Sequence, residues 1–162
     1  MKEKGGTEMQ YGIVTGFIFF MDFFLKKKAD GLKRLGKWRS YWNDRIEVWK
    51  YHNHGGFYNL GQGKPDVVRG ISLGLSAVAF VCFLLSLTFH GNRMLRSGLS
   101  ILLGGAFSNA YDRLTKRYVV DYLRLPKIPI LEKIIFNLSD FCILIGAMLT
   151  AIACSKEETS EK

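Results

Sequence analysis

The sequence predicts an all-α transmembrane bundle of four helices, with a small β platform and an interfacial amphipathic helix in its first long loop. Three observations carry this reading. The 162 residues are 48% hydrophobic, with a mean hydropathy of +0.07, although the chain bears a net charge of +9. The apolar residues are gathered into blocks with the charge between them, whereas a soluble domain disperses them. The loop after the first block changes from helix-like to strand-like spacing before the second block begins.

The blocks set the spans. Residues 70–89, "GISLGLSAVAFVCFLLSLTF", hold no charge, and about 20 apolar residues cross a bilayer core as a helix. Residues 134–154, "IIFNLSDFCILIGAMLTAIAC", are as long and hold one charge, Asp140. Residues 9–25 form a shorter block with Asp22 near its end. Residues 97–111, "SGLSILLGGAFSNAY", are also short, which places Arg96 and Asp112 near the two interfaces. The predicted spans are about 9–25, 68–89, 96–112 and 134–154, within one domain over residues 1–154. A loop covers residues 26–66, and a polar tail, residues 155–162, frays at the end. "KKK" and no small-residue cleavage site follows the first block, so it reads as an uncleaved anchor.

Ten residues of the 26–66 loop are Lys or Arg and four are Asp or Glu. Leu32, Leu35, Trp38 and Trp42 fall at near-helical spacing among Lys33, Arg34, Lys37 and Arg39. A basic helix with such a stripe lies along a membrane surface. An ordinary solvated helix is the plainer alternative. Beyond it, Ile46, Val48 and Lys50 alternate with Glu47, Trp49 and Tyr51, and glycines follow, as in a strand or hairpin. Such a platform can hold an extended peptide by strand pairing or be purely structural.

Cys82, Cys142 and Cys154 all lie in apolar runs. An odd number without CxxC spacing argues against a disulfide framework or a zinc site. His52 and His54 sit in a loop, His90 ends a helix, and no HExxH is present. No metal or cofactor is expected. Gly104 and Gly105 permit close helix contact.

The acids are the unusual feature. Asn109 and Asp112 are three apart at a helix end, and Asn137 and Asp140 repeat that spacing in the last block, so each pair shares a face. Asp121 follows the apolar "YVV". An ionisable group in a membrane helix is expensive and marks a functional site. Two carboxylates meeting in a partly dry cavity disfavour double ionisation, hold one proton between them and titrate as a unit. The ionised member can deprotonate water while the other polarises a carbonyl and later protonates a leaving amine. Alternatives stay open from spacing alone. Asp112 can be a helix-end ion pair with Arg113, Asp121 a turn residue, and the acids a proton or ion conduit.

"GGAFSNAYDR", "RYVVDYL" and "FNLSDF" resemble, in order and spacing, the signatures GGALGN-x-x-DR, GYVVDF and FN-x-ADS of the lipoprotein signal peptidases, also called signal peptidase II. "DFFLK" is similar to the family's DQ-x-x-K through Asp22 and Lys26, and "NHGGF" to its N-x-GAAF. The resemblance implies an intramembrane aspartyl protease of the bacterial plasma (inner) membrane, multi-pass, with its active site toward the extracytoplasmic face. Its substrate would be a prolipoprotein whose cysteine carries diacylglycerol, cut just before that cysteine. By motif position Asp121 and Asp140 match the catalytic pair. Asn109, Asp112, Arg113 and Asn137 match the supporting polar residues, Asn53 the outer-loop asparagine, and Asp22 and Lys26 a structural polar pair. Ser108 stands in place of a glycine, Ser139 of an alanine, Phe141 of a small polar residue and Phe23 of a glutamine. A non-catalytic relative, binding lipoproteins or conducting ions, is the alternative.

The resemblance puts both termini in the cytoplasm and residues 26–66 outside. Six Lys and Arg then lie on the inner side and seventeen on the outer, the reverse of the usual bias. The motifs decide the orientation, and a basic outer skirt suits anionic headgroups. Phospholipids are therefore the expected anionic partner, not nucleic acid, and the chain is read as a monomer.

Overall fold

The computed structural model describes residues 3–56, 59–88 and 93–160. These form, in order, α1 (Glu3–Asp30), β1 (Gly36–Tyr41), β2 (Ile46–Asn53), α2 (Pro65–Thr88), α3 (Arg93–Thr115), β3 (Val119–Arg124), β4 (Ile135–Phe136) and α4 (Leu138–Ser160). His90 and Phe89, the expected end of the second span, lie outside the described residues.

Local chemistry fixes the helix ends. Pro65 opens α2, where a missing N–H costs nothing, and Asp66 follows in the first turn. Lys27 and Lys28 sit in the last turn of α1, and the Gly31 N–H closes that turn on the Lys27 carbonyl at 3.1 Å. Asn137 precedes α4 as its N-cap.

α3 is the central helix and packs against the other three. Two glycines let it do so, as their pairing in the sequence suggests. A Cβ on Gly104 would lie 2.8 Å from the Ile18 Cβ of α1, and one on Gly105 would lie 2.6 Å from the Ser139 carbonyl oxygen of α4. The backbones meet only because no side chain intervenes. Phe83, Leu99 and Leu103 form a small apolar core between α2 and α3.

The polarity of the molecule is inverted. Asp22, Lys26, Ser100, Asp112, Asn137 and Ser139 are all buried, while Phe17, Phe20 and Phe24 on α1, Leu75 and Val78 on α2, and Leu144 and Met148 on α4 are exposed. Water penalises that arrangement and lipid favours it. Residues Pro65–Thr88 and Leu138–Lys156 are long and apolar enough to cross a membrane.

The sheet has the order β1-β2-β3-β4, antiparallel throughout. Tyr51 of β2 pairs with Asp121 of β3, and Asn53 with Val119. The expected platform in the first loop therefore exists as β1 and β2, completed by β3 from the later loop and by β4, which takes the first residues of the span expected from residue 134, so that the last helix starts only at Leu138.

The amphipathic helix expected around Leu32–Trp42 does not form. Residues 31–35 turn, and Lys37, Trp38, Arg39, Ser40 and Tyr41 extend as β1 against β2. A stripe of only about three turns, preceded by Gly31 and interrupted by Gly36, gains little from a helix that must still be nucleated. Pairing with β2 gives the same backbone its hydrogen bonds, and a bulge between Lys37 and Arg39 absorbs Trp38. The hairpin then turns through Trp42, Asn43 and Asp44 at φ 51°, 57° and 60°. At the other end of the chain, α4 continues through Ser160 into the stretch read as a frayed tail.

Candidate active site

Asp121 lies on β3 behind Val119 and Val120, and all three are buried. The strand explains its position, since β3 lies between β2 and β4 with the end of β2 close by. Asn53 Nδ2, at that end, donates to Asp121 Oδ2 at 3.0 Å. Asn137 Nδ2 donates to Asp121 Oδ1 at 2.7 Å. Both oxygens are thus held by amide donors from different elements.

Asp140 is held by the start of its own helix. The Asp140 N–H donates to Asn137 Oδ1 at 3.0 Å, and the Asn137 N–H donates to Asp140 Oδ2 at 3.0 Å. This reciprocal capping box explains the N-x-x-D spacing, with Asp in the place usually taken by Glu or Gln. Asn109 Nδ2 of α3 donates to Asp140 Oδ1 at 3.1 Å. Asn137 therefore binds both acids, one through its amide and one through its backbone. Asp140 remains partly exposed while Asp121 is not.

Burial first, and then the negative charge of Asp140, raise the Asp121 carboxyl well above the ordinary carboxylate range, against the hydrogen bonds of Asn53 and Asn137 and the charge of Lys26. A carboxyl so shifted keeps its proton where a solvated one releases it.

Behind the acids lies a second buried cluster. Lys26 Nζ pairs with Asp22 Oδ2 at 2.8 Å and donates to Asn109 Oδ1 at 2.7 Å. Asp112 accepts the Val120 N–H at 3.1 Å and pairs with Lys116 at 3.0 Å and Lys26 at 3.7 Å. Its partners are lysines and the strand backbone, not the neighbouring Arg113. Burial alone would lower the Lys116 ammonium, but the hydrogen bond and charge of Asp112 outweigh it and raise it. Arg113 is buried and donates through Nη2 to the Gly55 carbonyl at 2.8 Å. Asn53 Oδ1 accepts the Gly55 N–H at 2.9 Å. Arg113 and Asn53 thus hold one loop from two sides.

All nine residues singled out in the sequence lie in this connected cluster. Lys26, assigned to the outer loop, is instead in α1, one turn beyond Asp22. Phe141 does not fill the site, as its ring packs on Phe136 of β4 with centroids 5.3 Å apart. Sequence reasoning missed Tyr122 and Lys116 and gave no role to Ser108 and Ser139. Hydroxyls inside apolar helices were the one available signal. Among the described residues no group of three or more His, Cys, Asp or Glu is arranged to hold a metal.

The comparisons with known proteins agree with one another. Two solved bacterial membrane enzymes, both from in meso crystals, share the fold. One superposes with TM-score 0.78 at 21% identity over 97% of this chain and 92% of its own. The other gives 0.69 at 20% identity over 92% of each chain. A lipoprotein signal peptidase of Caldicellulosiruptor bescii is 31% identical over 109 residues, 67% of each protein. One of Lactobacillus johnsonii is 29% identical over 142 residues, 88% of this chain and 89% of that protein. The family model for signal peptidase (SPase) II matches residues 14–156. With nearly the whole chain inside that match, and the acids and amides of its motifs gathered in one site, the chain belongs to the signal peptidase II family.

Proposed function

We propose that this endopeptidase removes the signal peptide from diacylglyceryl-modified prolipoproteins with Asp121 and Asp140 as its catalytic pair. The observation that carries the reading is Asn137, whose amide binds Asp121 and whose backbone binds Asp140. Acids tied to one residue in a site that disfavours double ionisation share a single proton. The ionised carboxylate takes a proton from water, and the water oxygen attacks the scissile carbonyl carbon. The protonated carboxyl donates to the carbonyl oxygen. As the tetrahedral centre collapses the C–N bond breaks, and a carboxyl proton passes to the departing amine of the lipidated cysteine. Asn53, Asn109 and Asn137 keep the carboxylates oriented through the cycle.

Helix lengths support a four-span arrangement. At about 1.5 Å per residue, even the 23 residues of α3 reach about 35 Å, beyond the hydrocarbon core. Four spans place the sheet and the acids on one side, which is the outer side if prolipoproteins are cut where they emerge. Cysteine-accessibility labelling that found residues 33–50 in the cytoplasm would refute this orientation. The β1–β2 hairpin exposes Trp38, Tyr41 and Trp42 beside Arg39 and Arg45, which suits anionic headgroups. A tryptophan emission unchanged by phosphatidylglycerol vesicles would refute that contact. The enzyme acts as a monomer in this reading.

The decisive experiment incubates purified protein in lipid with a diacylglyceryl prolipoprotein and follows the gel shift of signal-peptide loss. Asp121→Asn and Asp140→Asn each remove at least 10²–10⁴-fold of the rate while the protein still inserts. Normal processing by both variants would sink the mechanism. Ion flux in liposomes without cleavage would favour the conduit reading instead.

A further inference from the structure

We infer that Tyr122, Ser108 and Ser139 act as positioning residues for Asp140, through the buried carboxylate of Asp22. The inference rests on the reading of Asp140 as catalytic. Three of the positions at which this chain departs from the quoted signatures are Ser108 for glycine, Ser139 for alanine and Tyr122 for phenylalanine. They lie on α3, α4 and β3, yet all three hydroxyls reach the same group. Ser108 Oγ donates to Asp22 Oδ2 at 2.7 Å, Ser139 Oγ donates to the same oxygen, and Tyr122 Oη donates to Oδ1 at 2.9 Å. Lys26 of α1 supplies the fourth donor at 2.8 Å.

Asp22 and Lys26 are both fully buried. An ion pair withdrawn from solvent is sustained only when further hydrogen bonds satisfy its remaining lone pairs and protons. The three hydroxyls do this for Asp22, and Lys26 is satisfied in turn by Asp22, Ser108 Oγ at 3.1 Å and Asn109 Oδ1 at 2.7 Å. Four elements are thereby tied to one carboxylate.

Two connections lead from this hub to Asp140. The first passes through Lys26. An ammonium has only donors, so the amide edge it faces must be the oxygen. With Asn109 Oδ1 fixed on Lys26, Nδ2 is the edge left for Asp140, and it donates at 3.1 Å. The second passes through Tyr122. Its Oη accepts the Leu138 N–H at 3.0 Å, a first-turn donor of α4 with no intrahelical partner. The hydroxyl that donates to Asp22 thus also seats the helix start from which Asn137 and Asp140 project. Asp140 then meets Asn109 in one amide orientation and Asn137 in one cap geometry.

The test uses full-length Tyr122→Phe and Ser139→Ala enzymes in lipid, with wild type assayed in parallel. Each deletes a single oxygen. The expected result for Tyr122→Phe is a kcat about tenfold lower, the scale of one lost hydrogen bond. KM stays within about twofold and the pH-rate profile is displaced; the melting temperature falls, because Asp22 and the Leu138 N–H each lose a partner, so kcat is read per folded enzyme. Ser139→Ala shows the same pattern more weakly, and it carries the test if Tyr122→Phe fails to insert. A folded variant with wild-type kcat and pH profile overturns the inference. So does a loss of rate that only tracks a loss of folded protein. A wild-type enzyme that cleaves nothing defeats the catalytic reading itself and is thereby told apart from failure of the hub.

Discussion

Asn137 and Asp140 cap one another across the first turn of α4, each backbone N–H donating to the other's side chain at 3.0 Å. A device that normally stabilises a helix end here also aims a carboxylate. The same asparagine donates its amide to Asp121 at 2.7 Å, so the cap and the proposed catalytic pair share one side chain and can be separated by substitution. Asn137→Ser keeps an N-cap acceptor but loses the amide donor. Its melting temperature should stay close to wild type, while kcat falls on the order of 10–100-fold, as for a lost hydrogen bond to a charged group. Asn137→Ala loses both, and about 1 kcal/mol of stability goes with the cap. Thermal melts beside cleavage rates check the pair. Equal melting temperatures for the two variants would break the argument.

The raised proton affinity of Asp121 sets a direction with pH. Its causes are burial and then the charge of Asp140. Between the ordinary carboxylate range and the raised value, the folded chain holds a proton that the unfolded chain has released. Folded stability from this group therefore falls as pH rises across that window. Activity should fall along the same alkaline limb, because the doubly ionised pair has no proton to give. Asp140→Asn removes the second cause and leaves the first, so the Asp121 titration should move down without reaching the ordinary value. Carbon-detected NMR of labelled aspartate reads this directly.

Glu47 provides the opposite sign at the sheet. Burial raises its carboxyl, but hydrogen bonds from Lys37, Trp49 and Arg124, with the Lys37 charge, outweigh that and hold it at about 2. The partners lie at 2.7 Å, 2.8 Å and 2.8 Å, joining β1 and β3 to β2. Stability from this group is present above its ordinary value of 4.5 and is lost as pH falls toward 2. Glu47→Gln should therefore melt lower than wild type at neutral pH, and the gap should close as the solution is acidified through that window. A gap independent of pH would show that the charge is irrelevant.

How much of this was legible in the sequence depends on how far apart the partners lie. Asn137 and Asp140 could be paired from spacing because one helical turn joins them. The long apolar blocks of α2 and α4 needed nothing but length. Asn53 and Asp121 meet across 68 positions through a β2–β3 pairing that no local pattern encodes, and only motif resemblance put them in one site. The Leu32–Trp42 stripe fits a helix or a strand nearly as well, and the deciding partner, β2, lies outside the stripe. Ser108 and Ser139 carried no signal of a distant partner, because a hydroxyl in an apolar helix ordinarily bonds its own backbone, and Tyr122 lay in a strand beside Asp121 with nothing local to mark its partner. Their shared target, Asp22, becomes visible only when α1, α3, α4 and β3 are assembled.

Gly55 links the loop after β2 to the acids, and a single methyl tests the link. A Cβ there would lie 2.6 Å from the backbone carbon and oxygen of Asn59, closer than real Cβ contacts come. Gly55 also donates its N–H to Asn53 Oδ1 at 2.9 Å and its carbonyl accepts from Arg113 at 2.8 Å. Gly55→Ala must push the loop outward, and Asn53 then loses the bond that orients its amide toward Asp121. Arg113→Lys removes the guanidinium and leaves the backbone space intact. Both should lower kcat about tenfold by freeing one oxygen of Asp121. Gly55→Ala alone should also increase proteolytic nicking of the loop after Asn53, since only it forces the backbone to move. Nicking as fast in Arg113→Lys would mean that the guanidinium, not the glycine's missing side chain, is what keeps the loop folded against the acids.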